Sequence, residues 1–134
     1  MSARLIPPST ELTQPYWDAS RREQLVLQKC EDCTHRIFPP RAHCPKCGST
    51  QLEWQPVSGK GVIYTYTVAH RAPHPVLAEQ CPITIAVVEL EEGPRMITNV
   101  TGCDPFDVKV GMSVQVAFEA IDDSDVVLPV FKPA

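Results

Sequence analysis

A chain of 134 residues, 43% hydrophobic and 21% charged, carries enough apolar material for one moderate core and too little length for several large ones. Its 14 prolines are about twice the usual ~5% share, which excludes a long-helix bundle or coiled coil and favours short strands and loops. The formal charge of −4 is uneven, with seven Lys/Arg against six Asp/Glu in residues 1–58 and five against ten in residues 59–134, so a polyanion is a disfavoured partner.

Taken in chain order, residues 1–13, with Pro7, Pro8, Ser9 and Thr10, read as an extended arm outside the fold. The same stretch lacks the charged start and apolar run of a signal peptide. No later run nears the ~20 apolar residues of a membrane-spanning helix, so the chain is expected to be cytoplasmic, with no membrane contact. Pro15 suits the first turn of a short helix running through Tyr16, Trp17, Ala19 and Ser20 to about Glu23. Tyr16 and Trp17 then form a packing face, and a partner-docking surface is their functional reading.

Leu25-Val26-Leu27 makes a strand entering Cys30, Ile37-Phe38 a second strand stopped by Pro39 and Pro40, and residues 52–54 a third. The turn at Ser58-Gly59 marks a boundary, with the helix and a metal-binding ribbon in 14–58 and an all-β unit in 59–134. Strands follow at 62–68, 83–90 and 96–100. Val114, Val116 and Phe118 alternate with Ser113, Gln115 and Ala117, and a last strand spans 126–131. Five such strands, with too few helices to cover an open sheet, are expected to curl into a small OB-type barrel. The fold class is mainly β.

The strongest signal is in the cysteines. Cys30-Glu31-Asp32-Cys33 and Cys44-Pro45-Lys46-Cys47-Gly48 form two Cys-x-x-Cys pairs separated by ten residues. Each pair can curl until both sulfurs face one ion, with backbone amides donating to the thiolates and Gly48 permitting the tight backbone. Four thiolates and no open position describe a structural zinc site, whose metal compensates for a core too small to fold alone. Iron in the same cage would make an electron carrier, and ligand count does not separate the two. A complete four-cysteine set needs neither His35 nor His43.

Cys81 and Cys103 are left over and read as buried small side chains, with no base placed beside either. His70, Arg71 and His74 follow the first barrel strand in a segment crowded by Pro73 and Pro75, where solvated loop residues are expected and a ligand-facing loop is the alternative. Glu89, Glu91, Glu92 and Asp122, Asp123, Asp125 read as turn solvation, not as paired catalytic carboxylates or a calcium loop. No enzyme motif emerges.

From Pro15 onward the chain resembles a family that joins a rubredoxin-like zinc ribbon to an OB-fold, catalogued as a domain of unknown function and associated with acyl-CoA metabolism. The resemblance rests on Pro15-Tyr16-Trp17, Leu25 through Cys33, Phe38-Pro39-Pro40-Arg41, the second cysteine pair with Gly48, and Gly59-Lys60-Gly61-Val62-Ile63-Tyr64-Thr65-Tyr66-Thr67. Gly102-Cys103-Asp104-Pro105 and Val110-Gly111-Met112-Ser113-Val114 extend it. It implies a non-catalytic partner of thiolase-like, aldol-lyase or hydratase enzymes that helps to hold or pass a CoA thioester, or that scaffolds the complex.

A CoA ligand needs an apolar path for pantetheine and a few cations for its phosphates, so Arg41, Lys60 and Arg71, with Tyr64, Tyr66 and His70, are the binding candidates. Steroid, fatty-acyl and acetyl substrates would leave the same marks on this chain. The alternative reading is a single-stranded nucleic-acid module in which Tyr64 or Tyr66 stacks on bases, against which the acidic charge argues. A stand-alone thioesterase or acyltransferase using Cys81 or Cys103 is a third.

Overall fold

The computed structural model describes residues 6–71, 75–122 and 124–134. The first five residues of the expected arm, Pro73 and His74 of the loop, and Asp123 lie outside the described residues. Helix α1, Gln14–Arg21, starts at a turn in which the Thr10 carbonyl accepts from the amides of Thr13 and Gln14, with Pro15 in its first turn. It stops before Glu23 because that residue adopts φ 57, outside the helical region.

Strands β1 (Val26–Cys30), β2 (Arg36–Ile37) and β3 (Leu52–Pro56) form an antiparallel sheet in the order β2-β1-β3. Phe38 does not continue β2, as the sequence suggested; it turns toward Tyr16, with ring centroids 6.1 Å apart. β3 runs on to Pro56, and the Val57 amide then donates to the Leu25 carbonyl at 3.0 Å, lengthening the ribbon toward the next unit.

Strands β4 (Lys60–Ala69), β5 (Ile83–Leu90), β6 (Arg95–Val100), β7 (Ser113–Ala120) and β8 (Val127–Pro133) make a closed barrel in the order β4-β5-β6-β8-β7. This is the expected five-stranded OB-type barrel. Alternation decides what faces inward: Thr84, Ala86, Val88 and Leu90 of β5 and Met96, Thr98 and Val100 of β6 are buried, with their neighbours more exposed. Closure is narrowest between β6 and β8, which run parallel and pair at Val100↔Phe131, where Thr101 donates to the Phe131 carbonyl at 2.8 Å.

Two 3₁₀ turns, Pro75–Gln80 and Pro105–Asp107, were not anticipated. The second opens at the proline of an Asp-Pro pair, and the Asp104 side chain caps it by accepting from the Phe106 amide at 2.9 Å.

One apolar cluster joins Tyr16 of α1 and Leu25 and Leu27 of the ribbon to Ile63, Val88, Met96, Val114 and Phe131 of the barrel. A small second cluster at the ribbon tip consists of Cys30, Ile37 and Cys44. Gly59 sits where ribbon passes to barrel: at φ 75, a Cβ there would lie 2.4 Å from Val116 Cγ1. Gly61 allows β4 to approach β5 closely, since its Cβ would fall 2.4 Å from the Glu89 carbonyl oxygen. No helix among the described residues is long and apolar enough to cross a membrane.

Candidate metal centre and the clefts around it

The two cysteine pairs build matching knuckles. In the first, the Cys30 amide donates to the His35 carbonyl at 2.9 Å and the Thr34 amide to the Cys30 carbonyl at 2.9 Å. The second repeats both bonds, from Cys44 to Ser49 and from Gly48 to Cys44, each at 2.8 Å. The residue after each second cysteine takes the left-handed conformation, Thr34 at φ 64 and Gly48 at φ 78. Gly48 was legible as the residue for such a turn; Thr34 does the same work at a β-branched side chain's steric cost.

All four sulfurs lie within 4.8 Å of one another, with Cys30 3.6 Å from Cys47 and Cys33 3.6 Å from Cys44. A tetrahedral zinc with bonds of ~2.3 Å has sulfur-sulfur edges of about 3.8 Å, so the spacing fits a shared ion, and it is far longer than the ~2.05 Å of a disulfide. The chemistry of the sulfurs suits a shared cation. Burial raises the Cys44 thiol, but the amides of Cys47 and Lys46 together with the sulfurs of Cys33 and Cys47 outweigh it and bring it down to about 7. The Ser49 amide favours a thiolate at Cys47, yet the sulfurs of Cys30 and Cys33 outweigh it and push that thiol up to about 12. Four sulfurs this close cannot all ionise unless a divalent ion compensates them. With four protein donors and no vacancy for a substrate, such an ion supplies structure.

Nearby histidines take no part in the sulfur set. His35 contributes its carbonyl to the first knuckle, and His43 is exposed. Away from the metal centre, Cys81 donates to the Leu77 carbonyl across 3.7 Å. Burial pushes the Cys103 thiol up, helped by Asp107 and Asp104, which is the opposite of what a nucleophile needs.

The remaining sequence candidates are scattered. Tyr16 is buried at 8% exposure, and burial pushes its phenol well up. Trp17 is half-buried, edge-on to Tyr16 at 4.9 Å, and lines a groove of about 290 Å³ with Phe38, Ile97, Leu128 and Pro129. Lys60 lies at a different cleft, beside Glu89, Glu91 and Gln115. Tyr64 and Tyr66 are exposed, and the Arg95 guanidinium lies 3.9 Å from the Tyr64 ring centroid, covering one face of that ring. His70 and Arg71 are exposed. Arg41 lines a third cleft, between ribbon and barrel, together with Arg36 and Arg95.

The acidic residues do more than solvate turns. Glu92 accepts from the Ser58 amide at 2.9 Å, tying the ribbon's exit to the β5-β6 turn, and Asp125 accepts from Arg21 at 2.7 Å, tying α1 to the segment before β8.

Residues 17–53 match the family description "ChsH2, rubredoxin-like zinc ribbon domain", and residues 54–119 match "ChsH2, C-terminal OB-fold domain". A DUF35 domain-containing scaffold protein of Methanocaldococcus jannaschii is 43% identical over 103 residues, covering 75% of this chain and 72% of that protein. The chain belongs to the DUF35 family of ChsH2-type zinc-ribbon and OB-fold proteins. Its cysteine cluster is therefore this family's ribbon centre, a structural zinc site. Among solved DUF35 structures, the chain described as "Ltp2-ChsH2(DUF35) aldolase" superposes with a TM-score of 0.85 at 36% identity, covering 96% of this chain and 98% of that one. A probable enoyl-CoA hydratase alpha subunit of Thermomonospora curvata is 39% identical over 129 residues, or 95% of this chain, which spans 39% of the length of that subunit.

Sequence reasoning missed Gln28, Arg36 and Arg95. Nothing in their local patterns marks them, because their roles come from contacts between segments far apart in the chain.

Proposed function

We propose that this DUF35 chain is a non-catalytic accessory subunit of a thiolase-like or aldol-lyase acyl-CoA enzyme complex, helping to hold or pass a CoA thioester. The observation that carries the reading is the near end-to-end likeness, in sequence and in fold, to the chain of the Ltp2-ChsH2(DUF35) aldolase. The chemistry of this chain agrees with it: the metal centre is closed by four sulfurs, and the leftover Cys103 is held as a thiol.

The groove beside α1 suits the apolar part of such a substrate. Trp17, Phe38, Ile97 and Leu128 provide the wall, and Thr98 and Asn99 bring polar groups to it. On this reading Trp17 is the member of the aromatic pair that meets a ligand or partner, while Tyr16 anchors the helix in the core. Arg41, Lys60, Tyr64, Tyr66, His70 and Arg71 remain proposed contacts outside this groove, to be engaged by a partner or by the nucleotide end of CoA.

Co-expression with a thiolase-like or aldolase protein from the same source is the test. The expected result is a complex that survives gel filtration, and an enzyme that loses stability or activity when this chain is withheld. An enzyme fully active and stable alone, beside a chain that elutes separately, overturns the proposal.

A further inference from the structure

From the cleft between ribbon and barrel, we infer that the chain carries a phosphate-binding site formed by Arg36, Arg41 and Arg95. The cleft has a volume of about 360 Å³. Its three arginines meet one carboxylate, Glu89, giving a local charge of +2 on a chain whose total is −4. Such a reversal of sign in a concave site concentrates anions.

The arginines are held in place with donors to spare. Arg36 belongs to β2, where it pairs with Lys29 of β1, and its Nη1 is buried with no hydrogen-bond partner. Leaving a charged donor in that condition is costly, and an acceptor entering the cleft beside the guanidinium relieves it. Arg41 is positioned through its backbone: buried Gln28 accepts from the Arg41 amide at 2.7 Å and donates to the Arg41 carbonyl at 2.9 Å. A side-chain amide spent on both main-chain groups of one exposed residue fixes where that residue's guanidinium begins. Among the described residues, neither Arg36 nor Arg41 has a carboxylate partner.

Arg95 completes the set from the barrel side. It meets Glu89 through Nε alone, at 3.0 Å, and lies against Tyr64, which orients the guanidinium. Forked guanidinium donors match the oxygens of a phosphate, and Phe38 and Pro94 beside them offer flat apolar surface. The site stands whether or not the chain partners an acyl-CoA enzyme, since phosphate binding and complex formation are measured separately.

Calorimetric titration of the zinc-loaded full chain at low ionic strength tests this, with inorganic phosphate, ADP and adenosine as probes. Saturable binding of phosphate and ADP but not adenosine is expected, and tighter binding of ADP would name a nucleotide rather than free phosphate as the source. Arg36→Gln and Arg41→Gln each weaken binding by about tenfold or more, and Arg36→Lys recovers only part because it lacks the fork. Lys109→Gln, an exposed cation absent from the cleft lining, leaves binding unchanged. Unchanged melting temperature and zinc content in Arg41→Gln keep the loss attributable to the side chain. No saturable binding, an equal loss in Lys109→Gln, or binding of an acidic peptide but not of phosphate would overturn the inference.

Discussion

The ribbon and the barrel solve the same problem by different means. The barrel buries Ile63, Val88, Met96, Val114 and Phe131 around a closed sheet, so apolar burial holds it together. The ribbon has three short strands; its base lends Leu25 and Leu27 to the barrel's core, and its tip has a buried cluster of Cys30, Ile37 and Cys44. With so little apolar area, the tip depends on a metal to fix its two knuckles. The difference shows where each kind of change will act: chemistry at sulfur reaches the ribbon first, and cavities in the barrel leave the metal set intact.

The largest effect expected is from breaking the metal centre. Cys44→Ser, or removal of zinc by a chelator, should abolish hydrogen-exchange protection across β1 to β3 while the β4-β5 and β7-β8 ladders stay protected. Loss of both units together would show that the ribbon has no separate dependence on its metal. In the opposite direction, Phe131→Ala removes a side chain of 0% exposure from the barrel and should cost about 3–5 kcal/mol in chemical denaturation. Zinc content of the folded protein should not change.

A subtler comparison lies within the ribbon. The knuckles share their hydrogen bonds but differ at the left-handed residue, so Thr34→Gly should stabilise the chain by about 1 kcal/mol and Gly48→Thr should destabilise it by a similar amount. Equal and negligible effects would mean that Thr34 is compensated, for which its hydroxyl contact with the Cys33 carbonyl at 2.6 Å is the candidate.

The smallest effect concerns the join. Burial raises the Tyr16 phenol, so the folded state holds its proton more tightly than the unfolded state. This contribution is fully present below about pH 10 and is lost as pH rises through and above that value. Tyr16→Phe should therefore reduce the alkaline fall in stability while changing neutral stability little. An unchanged alkaline profile would remove Tyr16 as its source.

Much of this was legible in the sequence because the signals are local. The cysteine spacing names four sulfurs of one centre, and β-branched and aromatic runs such as Val62-Ile63-Tyr64 announce strands within a few residues of their true ends. What was not legible depends on distance along the chain. Phe38 reads as strand but is drawn toward Tyr16, and the shared core of Tyr16, Leu25 and Leu27 with the barrel has no local sign. Arg36 and Arg95 line one cleft because the ribbon folds against the β5-β6 turn, and Gln28 reveals its purpose only once it is seen gripping Arg41. Thr34 was hidden for another reason: glycine usually marks a left-handed turn, and threonine there is the exception.

Metal and thiol analysis of the natively purified chain decides whether the ribbon is built on a four-sulfur zinc centre. One zinc ion per folded chain is expected, with Cys30, Cys33, Cys44 and Cys47 shielded from alkylation until a chelator is added. A well-folded chain without metal, its four thiols freely alkylated or paired as disulfides, would contradict it.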